Sequence, residues 1–369
     1  MTNKPLSASR IKSLQSCSWA FWCNYHLKLP DSTNDGALRG SLVHSIFECL
    51  GKDRHKKHYD KIINDQDAFA SPVIGRYIMS YAKENNLTDE FNVNLINEMI
   101  VEGLNYDFYG LDNDKSPHEV ISEKSFDISV NESGKNYRIL GFIDKLFLFK
   151  DSAAANIRDF KTSKSFFTGK DYNDNIQGLI YRLAVKHLYP EYYNRIVQFL
   201  FLRFDCKEGG EGNIIVPDVD EDELEGFEYY LTEVQRLINN FDESDAIKNF
   251  AYDQGYPPKE DGFSGRLTCG YSSYPMQCRK KDDYSPYYYC PYKFPYDYYK
   301  LLDESGELIK TSRKKSEIEV LQKHNPGSMI EKEHYNGCPR AYNRNWALEK
   351  LKKDGLSEDY IVKYGYTLD

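Results

Sequence analysis

Ile139-Leu140-Gly141-Phe142-Ile143-Asp144-Lys145-Leu146-Phe147-Leu148-Phe149 and, after a short polar turn, Asn156-Ile157-Arg158-Asp159-Phe160-Lys161 decide how this chain folds. Two apolar runs of strand length flank the connection Lys150 to Ala155, the pattern of a β-hairpin. Side chains alternate along a strand, so Leu140, Phe142, Asp144, Leu146 and Leu148 are expected on one face. Ile157, Asp159 and Lys161 share a face on the next strand by the same rule. Two acids and a lysine then meet on adjacent strands, in surroundings apolar enough to make their charge costly. Such a place suits a divalent metal.

Working outward, period two also governs the residues before the hairpin. Glu119 to Val130 forms a strand, and Asn131 to Asn136 forms a turn containing Gly134. Glu123 then faces the neighbourhood of Asp144, or Glu119 takes its place under another register. After Lys161 comes a loop, then a helix from about Tyr172 to Leu188. Ile176, Leu179, Ile180, Leu183 and His187 make its inward stripe, with Gln177 and Tyr181, four residues apart, on a neighbouring face. Ile196 to Phe204 is a further buried strand.

Nearer the N-terminus, Val43, Ile46, Phe47 and Leu50 repeat at helical spacing within Gly36 to Leu50, which sets His44 beside the apolar stripe. A helix capped by Ser7 or Ser9 precedes it, with Ile11, Leu14 and Cys17 inward. Residues 52–114 are polar, helical in periodicity and without evident chemistry, and read as an insertion. The run Lys207-Glu208-Gly209-Gly210-Glu211-Gly212-Asn213 marks a boundary. It divides a core, residues 1–205, from an irregular cysteine-bearing extension, residues 206–369, that starts with an acidic helix at Glu221 to Phe241.

A chain of 369 residues buries a substantial core and has room for about two domains. No apolar run approaches the ~20 residues of a membrane span, and the first residues lack a signal peptide's apolar core, so a cytoplasmic protein is expected (host cytoplasm if viral). Eight cysteines without such a signal favour free thiols or metal ligands over disulfides. The net charge of −9 argues against a protein that coats DNA nonspecifically. It leaves open local basic patches: Lys161, Lys164 and Lys170; Arg279, Lys280 and Lys281; Lys310, Arg313, Lys314 and Lys315.

Carboxylates on neighbouring strands are hard oxygen ligands for Mg²⁺ or Mn²⁺, and a lysine two residues from one of them can orient a water or neutralise developing charge. Asp-x-Lys alone is a common tripeptide. The order of parts is more specific: a Gly-x-x-x-His helix at Gly40 and His44, a Glu-bearing strand, Gly141-Phe142-Ile143-Asp144, Asp159-Phe160-Lys161-Thr162-Ser163-Lys164, and Gln177-x-x-x-Tyr181. In that order the chain resembles the RecB-like branch of the PD-(D/E)XK nuclease superfamily, which includes helicase-nuclease subunits and CRISPR adaptation nucleases. The resemblance covers Leu6 to Phe204 and extends loosely to Cys290.

The resemblance implies an α/β fold: a restriction-endonuclease-like mixed sheet flanked by helices. It implies His44, Asp144 and Asp159 as metal ligands, assisted by the Phe160 carbonyl. It makes Lys161 the catalytic lysine, Glu123 the acid of the first core strand, and Gln177 and Tyr181 a helix pair beside the active site that meets DNA. It also implies a cluster of one N-terminal and three C-terminal cysteines, matched here by Cys17, Cys269, Cys278 and Cys290. Such thiolates suit a 4Fe-4S cluster or Zn²⁺, with Cys23 and Cys338 as substitutes, and the family's tight Cys-x-x-Cys is absent.

The expected activity is that of a Mg²⁺- or Mn²⁺-dependent deoxyribonuclease, an exonuclease on single-stranded ends in recombination, repair or phage and CRISPR-type processing. No Gly-x-x-x-x-Gly-Lys-Ser/Thr loop is present, so unwinding falls to a helicase or similar partner. The alternative is a DNA-binding scaffold subunit that keeps the fold and not the chemistry. The tyrosine-rich run Tyr284 to Tyr299 either stacks unpaired bases or packs a thin core.

Overall fold

The computed structural model describes residues 3–30, 35–110, 116–167, 175–248, 290–292 and 295–339. In chain order the helices are α1 (Ala8–Ser16), α2 (Ser18–Tyr25), α3 (Asp35–Leu50), α4 (Lys56–Asp65), α5 (Pro72–Glu84), α6 (Glu90–Asn105), α7 (Ile176–Leu188), α8 (Glu221–Asn240), α9 (Glu243–Lys248) and α10 (Lys315–Lys323). The strands are β1 (Glu119–Glu132), β2 (Lys135–Phe149), β3 (Ala154–Lys161), β4 (Asn194–Phe201), β5 (Asn213–Ile215), β6 (Tyr296–Leu302), β7 (Leu308–Ser312) and β8 (Met329–Tyr335). Contacts divide the chain into two compact units, residues 1–8 with 33–239 and residues 9–32 with 240–369. Among the described residues no helix is long and apolar enough to cross a membrane.

The first unit is built on a sheet of order β1-β2-β3-β4-β5. Every neighbouring pair is antiparallel except β3 and β4, which run parallel. A parallel pair needs a crossover, and α7 supplies it. The sheet is therefore mixed and flanked by helices, the α/β architecture expected from the sequence. β1 and β2 turn tightly through Ser133 and Gly134, both at positive φ (51° and 79°), so the strands reach two residues further than the polar composition of the turn suggests.

The polar helices after α3 are no appendage. Their apolar stripes meet α3 and the sheet in one core: Val43, Ile46, Phe47 and Leu50 of α3, Ile62, Ile74 and Ile78, Ile96, Met99 and Ile100 of α6, and Phe160, Leu200 and Leu202. Two of these helices have starts that are signalled locally. Ser71 caps α5 ahead of a proline in its first turn, and Asp89 accepts the Asn92 N–H at 3.0 Å to cap α6.

The ladder between β1 and β2 skips one rung. Ser122 pairs with Lys145 and Lys124 with Ile143, which leaves Glu123 and Asp144 opposite one another and unpaired. Glu123 lies at φ 52°, a left-handed conformation that a glutamate in a strand adopts at a cost. The ribbon changes the layer it faces at this point. Before the break, Lys145 sits over the Phe108 ring in the α3–α6 layer, and Ser122 abuts Gly51 behind α3. Beyond it, residues of the same parity face the other layer: Phe126 meets Tyr181 of α7, and Tyr137 donates to Glu228 of α8 at 2.7 Å. Leu140, Phe142, Asp144, Leu146 and Leu148 consequently do not form one uninterrupted face. Leu146 and Leu148 are buried, whereas Leu140 and Phe142 are exposed.

Lys145 is 1% exposed, and no described oxygen or nitrogen meets its Nζ, which lies 3.0 Å from the centre of the Phe108 ring. Burial, reinforced by Arg158, pushes its pKa well below the lysine range. Between that lowered value and about pH 10.4, the unfolded chain binds a proton that the folded chain does not. Unfolding therefore takes up a proton, and this residue makes stability rise with pH towards that value. Lys145→Met is expected to raise stability at pH 7 by about 1–3 kcal/mol. It should also flatten the alkaline rise of the urea midpoint, as read by denaturation between neutral and mildly alkaline pH. An unchanged pH slope would refute this.

In the second unit the sheet has the order β7-β6-β8, with α10 connecting β7 to β8. Trp19 Nε1 donates to the Tyr335 hydroxyl at 2.7 Å, and that hydroxyl donates to the Tyr292 carbonyl at 2.8 Å. Arg313 stacks 3.6 Å over the Tyr296 ring. Tyr292, Tyr296 and Tyr298 are buried, so these members of the tyrosine run pack a core, while residues 284–289 lie outside the described residues. Of the third basic patch, Arg313 is taken up by Tyr296, and Lys314 and Lys315 pair with Glu317 and Glu319. Lys170, Arg279, Lys280 and Lys281 lie outside the described residues.

Candidate active site

Where β2 and β3 part company, their ladder ends at Lys145 and Arg158. The next residue on each strand is an aspartate. Asp144 reaches across to β3 and accepts the Phe160 N–H at 2.8 Å through Oδ2. The same oxygen lies 3.3 Å from His44 Nδ1. Gly40, one turn before His44, makes that approach possible, because a Cβ there would stand 2.8 Å from Thr162 Oγ1 at the end of β3.

His44, Glu123 and Asp144 offer ligand atoms that all lie within 4.8 Å of one another, close enough for one metal ion to reach all three. Two carboxylates at such a distance, half removed from water, repel by about 3 kcal/mol at an effective dielectric near 20. The titration behaviour follows. Desolvation and then Asp144 push Glu123 up to about 7, although His44 opposes them. For His44, burial disfavours the charged ring, but Asp144, Asp159 and Glu123 together outweigh it and raise the pKa to about 9. Without a cation, the imidazolium is what neutralises the acids.

Asp159 is 3% exposed and sits in a closed web of donors. Its Oδ1 accepts from Gln177 Nε2 at 2.7 Å and from the Tyr181 hydroxyl at 2.7 Å. Its Oδ2 lies 2.6 Å from Lys161 Nζ. Lys161 donates in turn to Gln177 Oε1 at 2.8 Å, and Gln177 Nε2 also reaches the Tyr181 oxygen at 2.6 Å. Desolvation raises the Asp159 pKa, Lys161 opposes it, and Asp144 adds to it. Burial and Asp159 together raise Tyr181 well above the phenol range, which keeps its proton on the hydroxyl as a donor. The helix that carries these partners starts at Asn175, whose side chain accepts the Gly178 N–H at 2.9 Å.

The residues anticipated for the nuclease core thus fall into two adjoining groups. His44, Glu123 and Asp144 form the cation-sized cluster, and Asp159, Lys161, Gln177 and Tyr181 form the hydrogen-bonded web. Asp159, named with His44 and Asp144 as a ligand by the resemblance, lies outside that 4.8 Å group, its carboxylate engaged by Lys161, Gln177 and Tyr181. Tyr181, expected on the face next to the inward stripe, is buried, and His187 is exposed, where spacing placed it in the apolar stripe. What spacing missed is Phe108, which with Lys145 backs the ligand strand; no motif marks it.

The cysteines divide differently. Cys17 and Cys23 are buried in α2 and its cap, and Cys338 is buried after β8. Burial first, then Cys338 and Cys17, push the Cys23 thiol far above its usual range, so these three thiols lie within electrostatic reach of one another. Cys290 is half-buried, and Cys269 and Cys278 lie outside the described residues.

A cation that binds His44 and Glu123 must displace their protons. Mn²⁺ affinity is therefore expected to climb between pH 6 and 9, with release of roughly one to two protons near pH 7, from His44 and from the partly protonated Glu123, falling to about one by pH 8 once Glu123 is ionised. Calorimetry in buffers of different ionisation enthalpy measures that number. A pH-independent affinity with no proton release would rule out this cluster as the metal site.

With the geometry in hand, comparison with known proteins gives two findings and one blank. A family model described as the PD-(D/E)XK nuclease superfamily matches residues 5–279. A solved structure of a candidate exonuclease from Eubacterium rectale is similar at 13% identity and a TM-score of 0.37, covering 64% of this chain and 80% of that one. No curated protein sequence matches the chain.

Proposed function

The chain belongs to the PD-(D/E)XK nuclease superfamily, and from that premise we propose that it is a divalent-metal-dependent deoxyribonuclease cutting from single-stranded ends. The observation that carries this reading is the meeting of a His44–Glu123–Asp144 cluster with a lysine-bearing web around Asp159 at the divergence of β2 and β3. In the proposal His44, Glu123 and Asp144 hold Mg²⁺ or Mn²⁺, and Asp159 joins them once Lys161 turns away towards a phosphate. Hard oxygens and one imidazole fit such an ion. When bound, the metal polarises the scissile phosphate and acidifies a water.

The remaining roles belong to the protein's own side chains. The Lys161 ammonium, ion-paired to Asp159 yet partly exposed, is placed to orient the attacking water or to meet the charge that develops on phosphorus oxygens. Gln177 and Tyr181 hold the Asp159 carboxylate in one orientation and present α7 towards the nucleic acid. The RecB-like branch is the proposed place within the superfamily. Residues 1–205 then supply the nuclease chemistry and 206–369 the thiol-bearing extension. Cys17 and C-terminal cysteines (Cys269, Cys278 and Cys290, with Cys23 and Cys338 as substitutes) hold a 4Fe-4S cluster or Zn²⁺, and a helicase or recombination partner in the cytoplasm supplies unwound ends.

Digestion of end-labelled single- and double-stranded DNA with Mn²⁺ tests the enzyme. Lys161→Ala and Asp159→Ala are each expected to lower cleavage by about a hundredfold or more. Equal cleavage by wild type and variants would refute the assignment. For the thiols, anaerobic purification followed by iron, sulfide and zinc analysis is expected to find one cluster or one zinc per chain, and a folded protein free of all three would eliminate it.

A further inference from the structure

Resting on the nuclease reading, we propose that Phe142, with Leu140 beyond it, is a stacking platform that seats an unpaired base next to the scissile phosphate and makes the enzyme select single strands. Phe142 is 57% exposed and stands two residues, about 7 Å along the strand, from the metal-cluster acid Asp144. That step is comparable to one nucleotide of an extended strand. Its partner across the ladder is Ser125, too small to cover a phenyl ring. The next rung sets Asp127 against Leu140, which is also exposed, and the one after sets Ser129 against Arg138.

Charge on this surface decides which part of a nucleic acid it fits. Arg138 is the cation of these rungs, and Asp127 holds it by two hydrogen bonds, Nε to Oδ1 at 2.7 Å and Nη2 to Oδ2 at 2.6 Å. The ribbon next to the metal cluster therefore presents a neutralised ion pair, two serines and two apolar side chains. It has little to offer a phosphate and an open ring to offer a base. Bases expose their faces where they are unpaired, and base–aromatic stacking tolerates any sequence. The break at Glu123 and Asp144 is what turns these side chains outward.

Binding of a fluorescent oligothymidylate and of a closed-ended duplex to the full-length protein, with Ca²⁺ replacing Mg²⁺, separates the possibilities. Phe142→Ala is expected to weaken single-strand binding by about tenfold while leaving the duplex unaffected. Phe142→Trp should keep the wild-type affinity, with its added emission quenched by the oligonucleotide. Replacing successive bases of the oligonucleotide with abasic sites should find one position at which Phe142→Ala costs nothing further. Equal affinities of wild type and Phe142→Ala, equal losses on both probes, or a shift in oligomeric state by light scattering would each overturn the proposal, the last assigning the surface to self-association. The nuclease reading fails separately: it is lost if Lys161→Ala still cuts, whereas cutting that depends on Lys161 but not on Phe142 sinks the platform alone.

Discussion

Three carboxylates, Glu123, Asp144 and Asp159, are brought together at one end of a sheet, and the structure depends on how their repulsion is contained. Asp159 is neutralised by Lys161 and held by two neutral donors. Asp144 is held by a backbone N–H and by His44. Glu123 is left with the weakest compensation and carries the raised pKa of about 7. A site arranged in this way is short of positive charge, which is the physical argument for the divalent cation in the proposed function.

Backbone geometry makes the crowding possible. An unbroken ladder would put Glu123 and Asp144 side by side on a regular sheet, where like charges directly opposite are destabilising. Instead the rung is open, Glu123 takes a left-handed conformation, and the ribbon exchanges the layer it packs against. Strain of this kind persists where surrounding structure holds it. Here the holding elements are the α3–α6 core on one side, with Lys145 over Phe108, and α7 and α8 on the other. The polar residues 52–114 carry no evident catalytic motif, yet α4, α5 and α6 form the layer that packs on α3, the helix of His44.

The second unit uses tyrosine as building material. Hydroxyls of buried tyrosines need partners, and Tyr335 finds Trp19, Cys23 and the Tyr292 carbonyl. Thiols buried among them are inert in isolation, because burial holds the proton on sulfur.

The order of elements, the βββαβ core and the placing of Asp144, Asp159 and Lys161 on adjacent strands are legible in the residues, because strand alternation, helical spacing, caps and turns are local properties, and because Asp144 and Asp159 stand at matching distances from one hairpin. His44 became a candidate only through the resemblance carried by the order of motifs, since helical spacing did no more than set it beside an apolar stripe. Tertiary structure alone decided that Glu123 rather than Glu119 meets Asp144, that Asp159 is enclosed by Tyr181 and Gln177, that Lys145 is buried, and that Phe142 faces water. Register is a relation between strands, and one open rung reverses the alternation on which any reading along a single strand relies. Burial and charge balance are likewise sums over residues distant in sequence, and they exist only once the layers have packed.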